Sequence, residues 1–178
     1  MIQSTQLDGG TRVVLETVPN TEAASIGFWQ IHGSRDETAE QAGYTHFLEH
    51  MLFKGTRRRT AYEIAQAVER VGGYLNAFTE KEVTCFYCTL PGEHLELALD
   101  VLADMFLEAS LDPREIEKEK TVVLNEIGAA DDNPDEKGHQ LYIEQLWGRH
   151  PLSRKITGEN ADVLRIHREP LEAFYRSR

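Results

Sequence analysis

Two histidines and a glutamate stand in the order His46-Phe47-Leu48-Glu49-His50. On a helix, residues i and i+4 lie one above the other on the same face, so His46 and His50 can present both imidazoles to one metal ion. Zinc takes nitrogen ligands at ~2.0–2.1 Å, which such a pair can supply. Glu49, three residues after His46, flanks the same face. It stands beside the metal without having to bind it, where a general base can take a proton from zinc-bound water. The competing reading is a polar helix face that happens to carry two histidines. Phe47, Leu48, Met51, Leu52 and Phe53 weaken it, because they make the segment mostly apolar, and ionisable side chains on a buried helix are costly unless paired or metal-bound.

A catalytic zinc needs a third protein ligand and keeps its fourth position for water. The other histidines, His32, His94, His139, His150 and His167, are scattered and read as surface or core residues. A carboxylate from another helix is the alternative, and residues 115–127 offer Glu115, Glu117, Glu119 and Glu126. Glu126 lies among Val122, Val123, Leu124 and Ile127, and a glutamate in apolar surroundings asks for a partner. Glu119 lies seven residues earlier, two turns up the same face. Sequence alone ranks Glu126 first.

The elements that must position these groups follow from punctuation and period. Residues 2–16 read as a hairpin turning at Asp8-Gly9-Gly10. A strand follows over 24–31, stopped by Gly33, and a polar loop runs from Ser34 to Gly43. The motif helix spans 44–54 and stops at Gly55. Thr60, with Glu63 as capping-box partner, opens a second helix to Val71. Residues 74–79 and 82–90 alternate as strands and end at Pro91-Gly92. Residues 93–108 carry an amphipathic stripe. Asp112-Pro113 opens a helix through Val122 to Ile127. Asp131 to Pro134 reads as a break, with Asp131, Asp132, Asp135 and Glu136 as solvated surface or, alternatively, a subsite for basic side chains. A helix over 135–147 follows, and Pro170 starts a last helix still running at Arg178. Hairpins with segregated helices imply an α+β fold, a mostly antiparallel sheet with helices packed on it. The last helix has no closing element after it, so the chain reads as a domain truncated at its C-terminus.

The 178 residues suit one domain. Acidic residues outnumber basic ones 30 to 19, a net charge of −11 that argues against nucleic-acid binding. No window approaches the ~20 apolar residues of a membrane span. The N-terminus shows no basic region, apolar stretch or cleavage site, so a cytoplasmic location is expected. Cys85 and Cys88 have C-x-x-C spacing but lie in a β-branched, aromatic run. Residues three apart on a strand face opposite sides, so two unpaired thiols are expected rather than a redox pair or half a zinc site.

The H-x-x-E-H order is the inverzincin pattern, the H-E-x-x-H metalloprotease motif reversed. Together with Asn76-Ala77-Phe78-Thr79 and the stretch Glu119 to Ile127, it closely resembles the pitrilysin/insulinase family of zinc peptidases (M16), in particular the branch of the mitochondrial processing peptidase and its bacterial relatives. The resemblance covers essentially the whole chain. It implies Zn2+ held by His46, His50 and Glu126, Glu49 as catalytic base, and Glu119 in a supporting role. It implies that Asn76, Ala77, Phe78 and Thr79 form a sheet edge to which an extended peptide adds as a strand. It also implies a partner: a second domain or subunit of the same type that lacks the motif and supplies an Arg and a Tyr to the substrate. A zinc endopeptidase, or its catalytic half, is therefore the leading expectation. A non-catalytic peptide-binding subunit of the same fold and an unrelated acidic metal-binding protein are the alternatives. Alone, the chain is expected to be weakly active and to self-associate through an open sheet edge.

Overall fold

The computed structural model describes residues 1–177; Arg178 lies outside the described residues. The chain opens on a hairpin, β1 (Ile2–Gln6) with β2 (Arg12–Glu16), which forms a sheet of its own and is exposed along its length. β3 (Ala23–Gln30) leads through two short 3-10 turns to α1 (Tyr44–Leu52) and α2 (Ala61–Glu69), then to β4 (Tyr74–Thr79) and β5 (Thr84–Pro91). The three strands form a second antiparallel sheet in the order β3-β5-β4, with Phe86 of β5 opposite Phe28 on one side and Ala77 on the other. Helices follow: α3 (Leu95–Glu108), α4 (Pro113–Asp132), α5 (Pro134–Trp147), α6 (Asn160–Leu164) and α7 (Arg168–Arg176). The architecture is α+β. Among the described residues no helix is long and apolar enough to cross a membrane.

The period-2 pattern of the strands sorts their side chains. Ile26, Phe28, Leu75, Ala77, Phe86, Cys88 and Leu90 turn inward and pack with Leu52, Ile64, Val68, Val101, Leu102 and Met105 of the covering helices. Cys85 lies on the opposite face of β5, between Trp29 and Phe78 in register. Both thiols are buried and unpaired, as strand geometry required, and burial pushes the Cys85 thiol up to about 11.

A second core lies on the far side of α1. There Phe47 and Met51 meet Ile116, Val123 and Ile127 of α4 and Val163, Ile166, Leu171 and Phe174 from the last two helices and the turn between them. The motif helix thus has cores on two sides, Leu52 facing one, Phe47 and Met51 the other, and Leu48 touching both. A helix apolar around most of its circumference must be buried on most of it. Each such side chain contributes about 1.5–3 kcal/mol, so the strip left for His46, Glu49 and His50 is held in a fixed orientation.

The start of α1 needs a glycine. Gly43, its N-cap, has φ 83°, and a Cβ there would lie 2.4 Å from the Thr157 carbonyl oxygen. Neither the left-handed backbone nor the close approach tolerates a side chain.

Several boundaries differ from the sequence reading. α4 continues past Ile127 to Asp132, because nothing in Gly128-Ala129-Ala130 stops a helix; only the missing N–H of Pro134 does, and Asn133 alone joins the two helices while capping α5. Asp131 is not merely solvated: its carboxylate pairs with Lys137 and Lys155. α7 begins at Arg168, since Pro170 falls in the first turn, where no amide donor is needed. Its helical span is Arg168–Arg176, and Ser177 keeps right-handed helical dihedrals with its N–H on the Ala173 carbonyl at 3.2 Å; the expectation at Arg178 lies outside the described residues. The short helix α6 carried too few residues to show a period.

Candidate metal centre

α1 and α4 lie against each other, and their facing residues converge. His46 Nε2 is 3.4 Å from Glu126 Oε1, and His50 Nε2 is 3.6 Å from Glu126 Oε2. The two imidazole centroids are 4.6 Å apart. One ligand atom from each of His46, His50 and Glu126 lies within 4.8 Å of the others, the one such group able to hold a metal ion among the described residues.

Glu119, two turns before Glu126 on α4, reaches the other side of His50: its Oε1 is 2.8 Å from Nδ1. With Nδ1 carrying the proton, the Nε2 lone pair is left facing Glu126 and His46, which is how a metal-binding imidazole is usually held. The second oxygen of Glu119 accepts from Lys54 Nζ at 2.6 Å. Glu119 is 3% exposed, so burial raises its pKa, but the hydrogen bonds and charges of His50 and Lys54 outweigh that and hold it below the usual carboxylate range. Glu126 is also lowered, chiefly by its hydrogen bond with His46. For His50, burial opposes the charge, yet Glu119, Glu126 and Glu49 together raise its pKa above 6.5. Two imidazoles and an ionised carboxylate fit zinc chemistry, and three protein ligands leave a position open.

The signal that ranked Glu126 is corrected here. Its apolar neighbours Val123 and Ile127 turn into the core, while the Glu126 side chain is 45% exposed at the mouth of the site. The buried glutamate is Glu119. Glu115 pairs with Lys118 on the helix surface, and the exposed Glu117 pairs with the buried Lys120.

Glu49 points from the same helix toward the sheet, where its Oε2 accepts the Thr79 hydroxyl. Thr79 therefore belongs to the centre through its side chain. Alternation along β4 places Asn76 and Phe78 on the opposite face: Asn76 donates to the Tyr74 hydroxyl, and Phe78 packs edge-on against Trp29 with centroids 5.7 Å apart. Ala77 faces the core. The four residues share a strand rather than a side-chain cluster, and that strand is a sheet edge, paired only with β5 among the described residues.

Sequence reasoning missed Lys54 and Glu37. Lys54 stands four residues after His50, a spacing that signals a shared face. Glu37 is buried in the loop before α1, where its carboxylate accepts from the Gly43 and Thr45 amides at 3.0 and 2.7 Å. No local pattern marked it.

Comparison with known proteins places the chain in a family. Residues 12–160 match the insulinase family, Peptidase family M16. The chain is 46% identical over 96% of its length to an uncharacterized zinc protease of Mycobacterium leprae, covering 38% of that protein. It is 36% identical over 97% of its length to a probable mitochondrial-processing peptidase subunit beta of Arabidopsis thaliana, covering 33% of it. A protease from Helicobacter pylori superposes with a TM-score of 0.93 at 25% identity over 98% of this chain and 42% of that one. An M16 domain from Pseudomonas fluorescens described as inactive gives 0.90 at 18% identity over 98% of this chain and 43% of that one, a likeness of fold alone. The chain spans about 40% of the length of its bacterial curated relatives. On the family match and these relatives, the chain belongs to the insulinase family of zinc proteases, Peptidase family M16.

Proposed function

We propose that this chain is the metal-bearing part of a zinc-dependent endopeptidase that cleaves extended peptides, the rest of the protein contributing a second domain of the same family. The observation that carries the reading is the convergence of His46, His50 and Glu126 beside a Glu49 that binds none of them. Zinc held by His46, His50 and Glu126 would supply Lewis acidity for a scissile carbonyl and for an attacking water near neutral pH. Glu49 takes the proton from that water and returns it to the leaving amine. Thr79 holds one Glu49 oxygen in place, and Glu119 fixes the His50 ring. The open edge of β4 accepts the peptide backbone as an added strand, which limits substrates to chains that can extend.

The test uses the whole protein and a quenched fluorescent peptide. Chelation should abolish cleavage and stoichiometric zinc should restore it. Cleavage indifferent to chelator would overturn the reading.

Metal loading should also depend on pH in a defined direction. Because the folded, metal-free protein holds His50 above its ordinary pKa, the ring is protonated below that raised value and must release the proton when metal binds. Apparent zinc affinity should therefore rise with pH and level off above it, with a slope of roughly tenfold per unit below it. Chelator competition across the neutral range measures this. A flat profile would show that His50 gives up no proton.

A further inference from the structure

The loop before α6 has little regular structure, yet Arg154 reaches from it into the segment that precedes the motif helix. Its Nη2 donates to the Glu37 carbonyl at 2.6 Å and lies 3.4 and 3.5 Å from the carbonyls of Arg35 and Ser34. The Glu37 carboxylate turns the other way and accepts the Gly43 and Thr45 amides, donors that a helix start leaves without intrahelical partners. The carbonyl of Arg154 in turn accepts from Lys81 in the β4–β5 turn. That turn is bound to the same segment by Ser34 N–H to the Glu80 carbonyl at 3.1 Å and Arg35 N–H to the Lys81 carbonyl at 2.8 Å. The approach is so close that a Cβ on Gly33 would lie 2.4 Å from the Glu80 oxygen. Thr79 is the residue immediately before the turn, and its hydroxyl holds Glu49 on α1.

The contacts form a closed circuit. One arm from Arg154 runs through Glu37 to the start of α1, the other through Lys81 to the end of β4, and the two meet again at the Glu49–Thr79 hydrogen bond. We infer that Arg154 is a positioning residue for the reaction, setting the placement of Glu49 against Thr79 by tying α1 to the β4–β5 turn. The inference rests on Glu49 being the base.

The test compares Arg154→Met, Thr79→Val and their double variant in the whole protein, reading kcat, KM, zinc content and amide hydrogen exchange over residues 43–52. Arg154→Met should lower kcat by roughly 10- to 100-fold, as small misplacements of a reacting group do. KM and zinc content should stay within about twofold, and exchange at the start of α1 should quicken. The double variant should be no worse than the more severe single, because both changes act on the same contact. Unchanged kcat, a loss explained by zinc content, or multiplied effects in the double variant would overturn the inference. Should Arg154→Met not fold, Lys81→Met cuts only the turn arm and should show the same kcat-against-KM split; normal kcat there is equally fatal. Glu49→Gln separates the two ideas: substantial turnover in it removes the base itself. An inactive Glu49→Gln beside a normal Arg154→Met removes only the role of Arg154.

Discussion

Replacing Glu49 by glutamine in the whole protein should leave zinc bound and reduce peptide turnover by ~10²–10⁴, the range that a positioned proton-transfer group contributes. The change is nearly isosteric, and the glutamine carbonyl oxygen can still accept the Thr79 hydroxyl that Glu49 accepts. Glu49 is outside the group that can hold the metal, so occupancy should not move. What disappears is the capacity to take a proton. Both terms are measurable on one preparation, zinc by elemental analysis and turnover with the quenched peptide. A variant that keeps more than about a tenth of its turnover, well above that range, would show that another group activates the water. One that loses zinc would show that Glu49 also serves the metal.

The groups such a variant probes were legible in the sequence to different degrees, and the differences have physical causes. His46, Glu49 and His50 sit within five residues, and helical period alone fixes their relation. Their helix was recognisable because its apolar residues run nearly around it, and the two cores on either side of α1 are the three-dimensional form of that pattern. The strands showed by alternation, and the capping box at Thr60 closed as expected. The relation of Glu119 to Glu126 was readable as two turns of one face, but which of the two is buried was not. That depends on the rotation of α4 against α1, and long-range packing sets it. The Glu37–Arg154–Lys81 circuit was invisible for the same reason: its members are 44 to 117 residues apart and meet through loops, where neither period nor punctuation carries information. Phe78 shows the complementary limit. It belongs to the strand that the family resemblance singled out, yet alternation sends its ring to the face away from Glu49.

Removing a ligand should act differently from removing the base. His50→Ala deletes one donor of the group of three and also strips Glu119 of a hydrogen-bond partner. Two ligands cannot hold zinc as three do, so metal content should fall from near one per chain to near zero after dialysis, and turnover should fall with it. The protein should lose stability even before metal is considered. Glu119 is buried and held in its ionised form, and with His50 gone Lys54 is left to answer its charge among the described residues. A buried acceptor left without its partner costs about 1–3 kcal/mol. Glu119→Gln provides the graded comparison. It keeps all three ligands, and its side-chain oxygen can still accept from His50, but it lowers the basicity of the ring. Its zinc affinity should drop by roughly 10- to 100-fold, the effect of losing a partner behind a ligand, and excess zinc should restore occupancy. Chelator competition on the wild type and the two variants gives the order directly, wild type tightest and His50→Ala weakest. In thermal unfolding, added zinc should raise Tm in the wild type and in Glu119→Gln but not in His50→Ala, because only a ligand that binds the folded state stabilises it. Equal zinc content in wild type and His50→Ala would remove His50 from the ligand set. An effect of Glu119→Gln as complete as that of His50→Ala would move Glu119 from behind the imidazole to the metal itself.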